Sequence, residues 1–163
     1  MGNVTYHHAD LIKAPPPGPA ADFALCINTL LFADHRKRER MVKHVCAAVK
    51  KGGHLALVVP SIESVLLTHA RFSEWQSRAG SKAQAPGSEL ANGADPLRGV
   101  VCIDKAPTKH WSSDELSSLL ATQGFRVINT EKIEYPWTTE FDRPPKWMKA
   151  PYPWDWFVEA RKV

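Results

Sequence analysis

No apolar run in this sequence approaches the roughly 20 residues that a membrane-spanning helix needs, so a bundle of such helices is excluded. The opening MGNVTYHHAD is polar, lacks the apolar stretch of a secretory signal, and leaves a cytoplasmic location and no membrane partner as the expectation. Cysteine is scarce. Cys26, Cys46 and Cys102 are odd in number and show no C-x-x-C spacing, which argues against a disulfide framework and against a zinc site or other metal site. Two of them fall in apolar elements, where buried free thiols are expected. Charge of one sign is also lacking: the net charge is +4, and basic residues gather only at Arg36, Lys37, Arg38 and Arg40. A nucleic-acid footprint is stronger and better clustered than this, and such a run at a helix start suits a solvated entrance, with anion binding as the other reading. There is no internal repeat, hence no solenoid or propeller.

What is present suits a single domain. The 163 residues are 44% hydrophobic and 23% charged, ordinary values for a globular chain. The stretch KKGGHLALVVPS, residues 50–61, is the most informative joint. Before it, Met41, Val42, Val45, Cys46 and Val49 recur at helical spacing on one face. Lys50 and Lys51 suit a helix carboxyl end, and Gly52 or Gly53 suits its stop. After it, Leu55 to Val59 is an unbroken apolar run, the pattern of a strand covered on both faces, and Pro60 ends it. Phe23 to Ile27 is a second such run, so strand, helix and strand form a crossover unit and the fold class is α/β.

Elsewhere, residues 4–11 (VTYHHADL) read as a short strand, followed by a stiff proline loop. A helix is expected over residues 62–77, and the small, polar, Gly- and Pro-rich residues 80–99 read as a flexible surface loop. SSDELSSLLATQGF is a capped helix: Ser112 and Glu115 form a capping box, Leu116, Leu119 and Leu120 a buried stripe, and Gly124 the stop. Residues 125–133 and the alternating DWFVEARKV read as two further strands, and the long loop stretch EYPWTTEFDRPPKWMKAPYPWDW, which runs into the last of them, carries four of the six tryptophans.

In this order, a strand ending near Asn28, a helix into KKGGHLALVVPS, a W-SxxELxxLLxxxGF helix and two last strands resemble the C-terminal half of a Rossmann-like S-adenosylmethionine-dependent methyltransferase. The resemblance covers most of the chain. It implies a mostly parallel sheet whose last strand is antiparallel, and S-adenosylmethionine as cofactor. It places Asp10, with Leu11 after it, at the adenine amino group, and Asn28, Thr29 and Leu30 beside the methionine portion, beyond the carboxyl ends of the strands. Asp10 also suits a turn cap, and Asn28 a backbone partner. The resemblance puts the acceptor pocket around Lys109, His110 and Trp111 and around Trp137, Glu140, Trp147, Tyr152 and Trp154. Aromatic walls with a few polar groups suit a small-molecule acceptor. His110 is the candidate catalytic base if the acceptor must lose a proton; a structural histidine and core tryptophans are the alternatives.

The family's Gly-rich turn is not in this sequence, whose nine glycines include no G-x-G. Residues 1–163 are therefore expected to form one partial domain without the N-terminal cofactor-binding units. With the family's strand order 3-2-1-4-5-7-6, the strand at Phe23 to Ile27 becomes an open edge, which invites self-association or a partner chain. A catalytically inactive, partner-binding remnant is the competing function. A nicotinamide-dependent fragment has no Tyr-x-x-x-Lys pair to support it.

Overall fold

The computed structural model describes residues 3–79, 88–89, 94–103 and 105–163. β1 (Ala21–Ile27) is followed by α1 (His35–Ala47) and β2 (Val49–Pro60), the expected crossover unit, with β1 and β2 parallel. Then come α2 (Ile62–Ala79), a short β3 (Ser88–Glu89), β4 (Val100–Ile103), β5 (Ala106–Lys109), α3 (Ser113–Thr122), β6 (Phe125–Glu134) and β7 (Trp154–Lys162). The main sheet runs β1-β2-β7-β6, and β7 is antiparallel to both neighbours. Three strands therefore share one direction and the last runs against them, as the methyltransferase resemblance requires.

One face of this sheet is closed by α1 and α3. Met41, Val42, Val45 and Cys46 from α1, with Leu116 and Leu120 from α3, meet Cys26, Leu55, Leu57, Val59, Val158 and Ala160. Asp34 caps α1 by accepting from the Lys37 amide at 2.9 Å, and Ser112 caps α3 by accepting from the Glu115 amide at 3.1 Å. Arg38 departs from the solvated helix entrance. It is buried, donates to the carbonyls of Phe32 and Ala33 at 2.6 and 3.0 Å, and lies over the Trp111 ring. Cys26 and Cys46 are buried free thiols, and burial pushes Cys46 up to about 11.

The opposite face of β1 is bare. Phe23, Leu25 and Ile27 are 57%, 56% and 54% exposed, and β1 is an edge strand. Residues 4–11 do not join it. They are irregular and mostly exposed, and without a ladder partner an extended segment leaves its N–H and C=O groups to water. The expected strand there is thus corrected.

Two glycines also play a different part from the one expected. The helix stops at Ala48, in ordinary helical backbone, and β2 begins at Val49. Gly52 (φ +78°) and Gly53 form an irregularity in the β1–β2 register. A Cβ on Gly53 would stand 2.9 Å from the Asp22 carbonyl oxygen, so the close approach of β1 needs glycine.

A second, small sheet, β3-β4-β5, is formed by the chain that runs from α2 to α3. Of the expected flexible loop over residues 80–99, residues 80–87 and 90–93 lie outside the described residues. Its end is a 3-10 turn, Pro96–Arg98, capped by Asp95 and closed by Gly99.

Candidate functional site

The carboxyl end of β2, the end of β6 and the start of β7 meet at one rim of the sheet, and a cavity of about 290 Å³ opens there. This is where open α/β sheets hold ligands. The walls are set by α2. Ser61 Oγ caps that helix by accepting from the Ser64 amide at 3.1 Å and donates to Glu63 at 2.9 Å. Ser64 Oγ accepts from the Trp154 amide at 2.7 Å, and Glu63 accepts from the Trp156 indole at 3.2 Å. The first turn of α2 thereby fixes the start of β7.

Asp155, the second residue of β7, lines the cavity. Tyr135, just past β6, donates its hydroxyl to Asp155 at 2.9 Å. Burial pushes the Asp155 carboxyl above the usual carboxylate range, while hydrogen bonds from Tyr135 and Asn28 hold it partly down. Burial and the neighbouring carboxylate push the Tyr135 phenol up to about 12, so it stays a donor at neutral pH. Glu140 also lines the cavity. Burial, aided by the charge of Asp155, pushes its carboxyl up, although Thr139 hydrogen-bonds it.

His110 closes the other side. The strip 108–111 is pinned at three points: the Lys109 amide donates to Leu31 at 2.8 Å, the His110 amide to Gly99 at 2.6 Å, and the Trp111 amide to Pro60 at 2.8 Å. Gly99 has φ +66°, and a Cβ there would come within 2.2 Å of the His110 carbonyl oxygen, so only glycine lets the strip sit so close. The ring is 4% exposed, and burial lowers its pKa below the ordinary imidazole value. Its Nδ1 lies 3.3 Å from the Thr108 carbonyl. A carbonyl only accepts, so Nδ1 carries the proton and Nε2 keeps a lone pair. No described residue bonds Nε2.

The residues singled out in the sequence divide accordingly. His110, Glu140 and Trp154 come together in the cavity, and Asn28 reaches it through Asp155. Lys109 does not. It is 1% exposed, and its ammonium donates to the Arg98 carbonyl at 2.7 Å and to Glu115 at 2.5 Å. Trp111 is core, with its indole donating to the Leu30 carbonyl at 3.1 Å. Trp137 is buried with Phe141 and Met148 in a second core against α2, and Tyr152 and Trp147 pack on it. Asn28 is exposed and strained at φ +46°, Thr29 is half-buried, and Leu30 is buried under Trp111. Asp10 is exposed and caps its own turn, accepting from the Ile12 amide at 3.0 Å, while Leu11 packs against the core. Sequence reading missed Tyr135 and Asp155. Their signal was the hairpin register, which sets Ile133 opposite Asp155, but a long loop separates the two in the chain.

No protein-family model matches the sequence, and no curated protein matches it. Solved structures do match the fold. An S-adenosylmethionine-dependent methyltransferase from Methanosarcina mazei is 23% identical with a TM-score of 0.52, covering 87% of this chain and 59% of its own. Another, from Mesorhizobium loti, is 19% identical with a TM-score of 0.60, covering 99% and 70%. The N-methyltransferase NodS from Bradyrhizobium japonicum, in complex with S-adenosylhomocysteine, is 7% identical with a TM-score of 0.55, covering 99% and 56%. The chain thus spans less than two thirds of the Methanosarcina and Bradyrhizobium proteins. Sheet order, the antiparallel last strand and these likenesses agree: the chain carries part of the Rossmann-like fold of S-adenosylmethionine-dependent methyltransferases, the part that ends in the β6–β7 hairpin.

Proposed function

We propose that the chain is the acceptor side of an S-adenosylmethionine-dependent methyltransferase acting on a small molecule. The observation that carries this reading is the cavity at the strand ends, where His110, Glu140 and Asp155 stand beside Asn28. The cofactor fits this rim in part. Asn28 and Thr29 have accessible polar groups there, whereas Leu30 has its side chain in the core and offers only backbone; Asp10 is exposed, and the Leu11 carbonyl beside it is bonded to His44 in the last turn of α1. When bound, S-adenosylmethionine supplies a methyl group on a sulfonium. The chain's own work is to orient the acceptor against that group, exclude water with Trp154 and Tyr135, and take a proton at His110 Nε2. We read the chain as a partial domain in the cytoplasm, completed along the β1 edge by other strands. Lys109, Trp111, Trp137 and Tyr152 support the acceptor pocket from behind.

A second reading is favoured by one observation, the bare apolar face of Phe23, Leu25 and Ile27 on edge strand β1. Such an edge suits a partner chain or a second copy, and the chain would then be an inactive, partner-binding remnant. Isothermal titration with S-adenosylhomocysteine separates the two. Saturable binding that Asn28→Ala weakens supports the methyltransferase; no binding by a folded chain supports the remnant.

A further inference from the structure

The cavity at the strand ends is acidic in a chain of net charge +4. Among the described residues its lining contains the two carboxylates Glu140 and Asp155 and no lysine or arginine. Among the described residues neither carboxylate has an ion-pair partner: Asp155 is held by neutral donors, Tyr135 and Asn28, and Glu140 by Thr139. Aromatic surface stands beside them in Tyr135 and Trp154. Lys132 lies 3.7 Å from the centre of the Trp154 ring without lining the cavity. His110 is neutral at pH 7 and presents an unbonded Nε2. Half-buried carboxylates that lack a counter-charge lower their energy when a cation enters, and ring faces add to this. A phosphate or carboxylate would meet like charge at the same wall.

We propose that the acceptor taken by this cavity is a small amine that arrives as its ammonium, with Glu140 and Asp155 as the counter-charges and His110 as the proton acceptor. This rests on the methyltransferase reading. The step balances with a methylsulfonium donor as co-reactant. The ammonium gives one proton to His110 Nε2, which becomes imidazolium. The freed nitrogen lone pair forms the N–C bond while the methyl carbon's bond to sulfur breaks, and that electron pair stays on sulfur as a neutral thioether. Two positive charges enter, and two leave as methylammonium and imidazolium. Glu140 and Asp155 face positive charge throughout.

Phenethylamine and its neutral counterpart 2-phenylethanol, titrated into the full chain at pH 7.5 by calorimetry, test this. The amine is expected to bind on the order of tenfold more tightly than the alcohol, the size of one charge-assisted contact with a ring. Glu140→Gln should bring it close to the alcohol's affinity. The comparison on the unaltered chain stands even if that variant fails to fold. Equal affinities, or no binding of the amine, would overturn the proposal. The same titration in saturating S-adenosylhomocysteine distinguishes an acceptor amine from the cofactor's own amino group. Unchanged amine binding supports an acceptor, and displacement overturns it. If S-adenosylhomocysteine does not bind while the amine preference persists, the methyl-transfer reading fails and the cation site stands.

Discussion

Lys109 and His110 are neighbours in the chain, yet only one of them faces the cavity. Lys109 is sealed between Arg98 and Glu115, so its role is to hold the 108–111 strip. Lys109→Met should lower stability by about 1–2 kcal/mol in chemical denaturation, less than a fully buried pair because Glu115 is 42% exposed, and should leave S-adenosylhomocysteine affinity unchanged. His110 makes a pH-dependent contribution. Its folded-state pKa is lowered by burial, so its share of stability is present above about pH 6.5 and is lost as pH falls through the lowered value. Glu140 and Asp155, with raised values, act the other way: their share is full in acid and is lost as pH rises. The melting temperature of the wild type should therefore fall more steeply below pH 6.5 than that of His110→Asn, and parallel curves would contradict the assignment. His110 was legible as a candidate from its place before a capped helix. Asp155 was not, because its role arises only when β7 pairs with β6.

Elements were more legible than residues because periodicity is written locally. The α1 stripe, the unbroken run of β2 and the Ser112 cap each state their structure within a dozen positions. The strand expected at residues 4–11 did not form because a strand needs a neighbour that local pattern cannot supply. The small sheet escaped notice for a related reason: its strands are short, and Pro107 interrupts the pattern. That sheet matters, since Gly99 holds its turn against His110. Gly99→Ala should cost more than about 1 kcal/mol, from the positive φ and the contact with the His110 carbonyl together. It should also reduce the preference for amine over alcohol, because His110 and the cavity wall shift with it. Thermal unfolding and the paired titration measure the two effects on one sample.

For the whole molecule, the open side of β1 and the cavity rim are distinct features. The apolar face of Phe23, Leu25 and Ile27 should drive concentration-dependent association, visible by analytical ultracentrifugation, and Leu25→Lys should reduce it without lowering the melting temperature. The methyltransferase-like sheet was readable from the order of elements, since a crossover unit followed by a capped helix and a hairpin fits few architectures. The acceptor pocket was readable only in outline. Of the four tryptophans between residues 137 and 156, Trp137 and Trp147 of the β6–β7 loop serve a second core, and Trp154, the first residue of β7, lines the cavity. The most direct test of the whole account is calorimetric titration of the chain with S-adenosylhomocysteine, run alongside Asn28→Ala and Lys109→Met. Saturable binding that Asn28→Ala weakens by on the order of tenfold, and that Lys109→Met leaves alone, is the predicted result. A folded chain that shows no binding, or binding indifferent to Asn28, would contradict it.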